Sequence, residues 1–167
     1  MSVHEHRKEA PRRIRFGVLT ISDTRTLETD ESGALILELI DGAGHSTTAR
    51  AICKDEPGEV VGLVSEACGR ADVDVVVLTG GTGLSRRDAT FEAMCELYNP
   101  GVPGFGELFR MLSFEEIGAA SMLSRASAGI VDGKPVFSLP GSRAAVRLGM
   151  ERLILPEAGH LLAQLAR

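Results

Sequence analysis

The sequence holds no tryptophan and one tyrosine, and aromatic residues make up 4% of its 167 positions. A stacking platform for single-stranded nucleic acid needs successive aromatic faces, so composition argues against that class of binder. Basic residues are also in deficit. The net charge is -5, which provides no bulk steering of nucleic acid. Cysteine is sparse: Cys53, Cys68 and Cys95 are odd in number and widely spaced, with neither a disulfide framework nor a zinc pattern. They are expected to be free core thiols in a reducing compartment. No apolar run approaches the roughly 20 residues that span a bilayer, and the charged opening His4-Glu5-His6-Arg7-Lys8-Glu9 is no signal peptide. A cytoplasmic protein without membrane contact is expected. His4, His6, His45 and His160 lack metal-ligand spacing. Ser22, Ser113 and Ser142 lack the G-x-S-x-G setting of a hydrolase nucleophile.

What is present is a chain 44% hydrophobic and 25% charged, sufficient for one globular domain over residues 14–167. Residues 1–13 are polar and non-periodic and read as a flexible arm. Strands are predicted over 14–21, 47–53 and 73–79, the last a β-branched run suited to a strand covered on both faces. Helices are predicted over 32–43, from about Pro57 to Arg70 and over 90–98. The glycine-rich segment Pro100–Gly106 precedes two short helices within 107–122. Strands over 127–131 and 134–139 are joined by Asp132-Gly133, a hairpin signal. Helices over 143–153 and 156–165 close the chain. This alternation predicts a three-layer α/β/α fold with a mostly parallel sheet and a late antiparallel hairpin.

Open parallel sheets bind ligands beyond the carboxyl ends of their strands. Ser22-Asp23-Thr24-Arg25, Gly80 to Asp88 and Pro140-Gly141-Ser142 are expected on that edge. In Gly80-Gly81-Thr82-Gly83, glycine permits close backbone approach, so that N–H groups and the next helix's positive end face an anion. It is neither a Walker A loop nor a dinucleotide fingerprint. Arg86 and Arg87 suit phosphate. Asp88 suits Mg²⁺ or the amino face of a heterocycle. The plain alternatives are a tight strand-to-helix turn, helix N-caps at Asp55 and Asp88, and solvated surface positions for Asp23, Asp30 and Glu107.

Thr20-Ile21-Ser22-Asp23, Leu78 to Gly83, Arg87-Asp88, Pro103 to Glu107, Phe109-Arg110, Leu123 to Ala126 and Leu139 to Ser142 recur here in the order found in one family. The chain resembles the MoaB/MogA family of molybdenum cofactor biosynthesis proteins from about Arg13 to Leu155, with Phe105–Gly118 similar to the MoaB branch. That resemblance implies an enzyme that binds molybdopterin and, with Mg-ATP, transfers AMP to its terminal phosphate with release of pyrophosphate. It implies that Asp55 and Asp88 are catalytic and candidate Mg²⁺ ligands. It implies ligand contacts at Ser22, Asp23, Gly80, Gly81, Thr82, Gly83, Glu107, Arg110, Ser124, Arg125, Pro140, Gly141 and Ser142. Pro140-Gly141-Ser142-Arg143 departs from the MogA pattern. The resemblance also implies a homotrimer or hexamer, with Leu108, Met111, Leu112, Phe114 and Met122 as interface candidates. The alternative is a member that binds molybdopterin, or serves as a scaffold as in gephyrin, without catalysis.

Overall fold

The structure is a computed structural model that describes residue 11 and residues 13–85 and 88–166. Most of the predicted arm, together with Arg86 and Arg87, lies outside the described residues.

The order of elements is β1 (Arg15–Ile21), α1 (Glu31–Gly42), β2 (Ser46–Cys53), α2 (Pro57–Gly69), β3 (Val75–Thr79), α3 (Thr90–Leu97) and α4 (Pro103–Ile117). A 3-10 segment (Gly118–Leu123), β4 (Ser127–Val131), β5 (Lys134–Leu139), α5 (Arg143–Gly149), a π turn (Met150–Ile154) and α6 (Leu155–Leu165) follow. The sheet runs β2-β1-β3-β5-β4. β2, β1, β3 and β5 are mutually parallel and β4 is antiparallel to β5. The expected α/β architecture is therefore present, late hairpin included.

Side chains alternate across the sheet, and each face carries its own core. Phe16, Val18, Val75, Val77, Phe137 and Leu139 pack against α1, α4, α5 and α6. Leu19, Ile21, Val76, Leu78 and Val136 pack against α2 and α3. Val75 to Thr79 are all buried, as a strand covered on both faces requires. The Asp132-Gly133 hairpin has φ of 49° and 76° at its two residues, the paired positive values of a type I′ turn.

Two helical expectations and one surface assignment need correction. α4 begins at Pro103 rather than after residue 106, and the second of the two expected helices is the 3-10 segment Gly118–Leu123. Proline is tolerated in the first turn, where its missing N–H would be unpaired anyway. Gly106, read as part of the glycine-rich segment before the helix, is needed inside it: a Cβ there would meet the Ala126 carbonyl at 2.6 Å. The last two helices are continuous through the π turn, whose residues keep right-handed helical backbone. Pro156 lacks an N–H and crowds the carbonyl four residues back, and a local π widening accommodates it without a break. Asp30 is not a solvated surface residue. It is 4% exposed, caps α1 by accepting the Gly33 N–H at 2.9 Å, and accepts the Thr20 hydroxyl at 2.7 Å.

Topology fixes where loops meet. The chain steps from β1 to β2 on one side, then crosses to β3 on the other. The sheet's switch point therefore lies between β1 and β3, at Ile21 and Gly80. Because β4 runs against its neighbour β5, its beginning, not its end, reaches the same edge. Ser124 and Arg125 arrive there with it.

Candidate functional site

Two cavities open on the carboxyl edge. The first, about 310 Å³, lies at the switch point and is lined by Ser22, Arg25, Gly80, Gly141, Ser142 and Arg143 among others. The second, about 300 Å³, is more apolar, with Phe91, Tyr98, Val102 and Ala128 on its wall beside Glu107 and Arg110. The chain from Gly80 to Phe91 runs from the wall of one to the wall of the other and carries Gly81, Thr82, Gly83 and Asp88.

The glycines of this stretch answer to different neighbours. Gly80 has φ of +100°, and a Cβ there would lie 2.2 Å from the Ile21 carbonyl oxygen. Gly81 has φ of +67°, and its Cβ would lie 2.4 Å from Thr90 Oγ1. At Gly83 a Cβ would lie 2.4 Å from Asp88 Oδ2. The loop is thus pressed against β1, α3 and Asp88 in turn. One element of the expected anion cradle is absent: the Gly80 N–H donates to the Leu139 carbonyl at 3.0 Å and is occupied by the sheet.

The structure brings Asp55 and Asp88 together although 33 positions separate them in sequence, since β2 and β3 both end at this edge. Neither caps a helix. Glu56 precedes α2 and Ala89 precedes α3, and neither makes a side-chain cap bond. Asp55 Oδ1 instead accepts the buried Thr90 hydroxyl at 2.7 Å, and Asp88 Oδ2 accepts the Ser85 N–H at 2.8 Å. Asp23 joins them: its Oδ1 accepts the Asp55 N–H at 3.2 Å. Burial, then the neighbouring Asp88 and Asp23 carboxylates, raise Asp55 above the ordinary carboxylate range, although the Thr90 hydroxyl opposes this. Bonds from Ser85 hold Asp88 below it. The two neighbouring carboxyls shift in opposite directions, and their affinities for the proton are pushed apart.

Other candidates have structural employment. Ser22 Oγ accepts the Thr24 and Arg25 N–H groups at 3.3 and 3.1 Å and shapes the turn after β1. Ser142 Oγ accepts the Ala145 N–H at 3.2 Å and caps α5. Thr79 Oγ1 donates to the Pro140 carbonyl, and Ser32 Oγ to that of Gly141. Arg110 lies 3.5 Å from the Ser124 carbonyl, at the second cavity. Arg125 does not reach either cavity's lining; its guanidinium turns into the loop after β3. Sequence reasoning missed Thr90 and Glu92. Thr90 was visible only as a helix-opening threonine, and nothing in spacing links it to a residue 35 positions away.

Among the described residues no group of three or more His, Cys, Asp or Glu converges to enclose a metal ion, and no helix is long and apolar enough to cross a membrane. Cys95 is exposed, which corrects the expectation of core thiols, whereas burial pushes Cys68 up to about 11. On α4, Leu112 is buried in the core and not available to an interface, while Leu108, Met111, Phe114 and Ile117 are exposed.

Residues 17–160 match the family described as "Probable molybdopterin binding domain". The chain is similar to molybdenum cofactor biosynthesis protein B of Halalkalibacterium halodurans, 52% identical over 168 aligned positions that cover 100% of this chain and 99% of the relative. A crystal structure of a molybdenum cofactor biosynthesis protein B superposes with a TM-score of 0.92 at 50% identity, covering 95% of this chain and 99% of the other. The tungsten cofactor synthesizing protein MoaB from Pyrococcus furiosus superposes with a TM-score of 0.84 at 40% identity, covering 95% and 100%.

Proposed function

Since this chain belongs to the MoaB/MogA family of molybdenum cofactor biosynthesis proteins, we propose that it binds molybdopterin and transfers AMP from Mg-ATP to its terminal phosphate, releasing pyrophosphate. Its role in molybdenum cofactor biosynthesis is the premise.

The observation that carries the reading is that Asp88, on the glycine loop that joins two ligand-sized cavities, is paired with Asp55 from the loop after β2. In such a transfer an oxygen of the pterin's phosphate attacks the α-phosphorus of ATP, and the bond to the pyrophosphate oxygen breaks. Two anions must meet, so the protein's contribution is mostly positioning and charge neutralisation. The two cavities supply separate berths. The switch-point cavity has Arg25 and Arg143 for phosphate oxygens, and the more apolar one has Phe91 and Tyr98 for a planar ring.

The carboxyl pair fits a divalent cation. Mg²⁺ is ordinarily held by one or two carboxylates with substrate phosphates and waters completing six positions, so no all-protein cage is needed. Asp55 and Asp88 would hold it, and when bound it would offset charge on the reacting phosphates. Thr90 orients Asp55, and the Ser85 amide orients Asp88. The exposed apolar face of α4 supports assembly as a trimer or a dimer of trimers.

The test is direct. Purified protein, molybdopterin and Mg-ATP should give adenylylated pterin and pyrophosphate, dependent on a divalent cation. Molybdopterin binding without AMP transfer across a full Mg²⁺ titration would overturn the enzyme in favour of a non-catalytic binding protein.

A further inference from the structure

Arg125 lies just before the antiparallel strand β4, 43 positions from Thr82 of the loop that it contacts. Its Nε donates to the Thr82 carbonyl at 3.1 Å. Its Nη2 donates to the Asp88 carbonyl at 2.9 Å and to that of Gly83. Its Nη1 pairs with the Glu92 carboxylate, and the guanidinium carbon lies 5.0 Å from the Phe91 ring centroid. Four of the five N–H donors of a guanidinium are thereby used within the protein, and the side chain is only 16% exposed. Its charge is matched by Glu92, so little is left for a phosphate.

We propose that Arg125 is a positioning residue that clasps the loop after β3 and so holds Asp88 beside Asp55, rather than a ligand contact. The inference rests on the reading that Asp88 belongs to the reacting site. The geometry favours a clasp because three acceptors are backbone carbonyls on both sides of the turn. A planar fork can hold three such points at fixed mutual distances. A lysine ammonium, with a single nitrogen at the end of a flexible stem, cannot span them. A residue that served only as positive charge for a ligand would tolerate lysine.

Hydrogen exchange on the ligand-free protein reads the clasp without any turnover. In Arg125→Lys the amides of residues 81–85 should exchange on the order of ten- to a hundredfold faster, as lost charge-assisted bonds imply, while β1 and β3 stay protected as in wild type. Glu92→Gln, at a largely exposed partner, should loosen the same amides severalfold and serves if Arg125→Lys does not fold. A double-mutant cycle then reads the route of action. Arg125→Lys alone should lower AMP transfer about tenfold or more, yet add no further loss in an Asp88→Asn background. Unchanged exchange of residues 81–85 in the folded variants, or losses that multiply in the cycle, would overturn the proposal. Failure of wild-type protein to transfer AMP would instead defeat the proposed function, with the exchange result still deciding the clasp.

Discussion

Gly83→Ala tests the site at the glycine whose Cβ would meet Asp88 directly. Gly83 has no positive φ, so alanine meets no backbone penalty there. Its Cβ would lie 2.4 Å from Asp88 Oδ2 and 2.8 Å from Asp88 Cγ, whereas ordinary contact begins at 3.4 Å. The carboxylate must therefore retreat by about 1 Å, and Oδ2 gives up the Ser85 N–H that it accepts at 2.8 Å. A misplacement of that size at a reacting centre costs on the order of a hundredfold in rate. Stability should hardly move. Loss of one exposed hydrogen bond, about 1 kcal/mol, is offset by about 0.4–1 kcal/mol from the reduced freedom of the unfolded chain. The melting temperature should thus stay within about 4 °C of wild type. The assay is AMP transfer alongside thermal unfolding. Near-wild-type turnover in a well-folded Gly83→Ala would refute the placement of Asp88 in the site.

Asp88→Asn keeps an acceptor for Ser85 but removes the charge, and should lose about ten- to a hundredfold in transfer with little change in stability; wild-type turnover would remove Asp88 from the mechanism. Thr90→Val deletes the donor that favours ionised Asp55, so transfer should fall about tenfold at a cost of about 1 kcal/mol in urea unfolding, and an unaltered rate would show that the 2.7 Å bond is idle. Phe114→Asp places charge on the exposed face of α4 and should lower the mass read by light scattering if the proposed trimer forms through that face; an unchanged oligomeric mass would refute that interface. Asp74 is held below the ordinary carboxylate range by the Arg15 guanidinium. Its contribution to stability is therefore present above the unfolded-state value and lost as pH falls through the folded one. Asp74→Asn should weaken the fold at neutral pH and match wild type in acid, and equal destabilisation at both would contradict the pairing.

Strands and the hairpin were legible because their signals are local: a β-branched run at Val75–Leu78, and Asp132-Gly133 for a type I′ turn. Loops expected on one edge meet there because parallel topology requires it. What failed locally was punctuation. Pro103 and Pro156 read as interruptions, yet one opens a helix and the other is absorbed by a π turn. What stayed hidden at the site depended on partners far away in sequence. Aspartate before a helix suggests a cap, and only the fold reveals that Asp55 faces Thr90 and Asp88 faces Ser85. Arg125 was noticed as an arginine near a ligand, but its acceptors are carbonyls, which leave no trace in residue identity.

The antiparallel placement of β4 bears on the order in which the molecule assembles. β3 lies in the middle of the finished sheet, but its second neighbour, β5, comes late in the chain. During synthesis the first half emerges with β3 as a raw edge, its hydrogen-bonding groups on that side unmet, and with nothing to tie down the turn beyond it. The hairpin that completes the sheet also delivers Arg125 to that turn and Leu139 to the Gly80 amide. Closure of the edge and maturation of the reacting loop are therefore one event. A chain released before its last third has formed therefore lacks both Arg125 and β5, the contacts that order the loop.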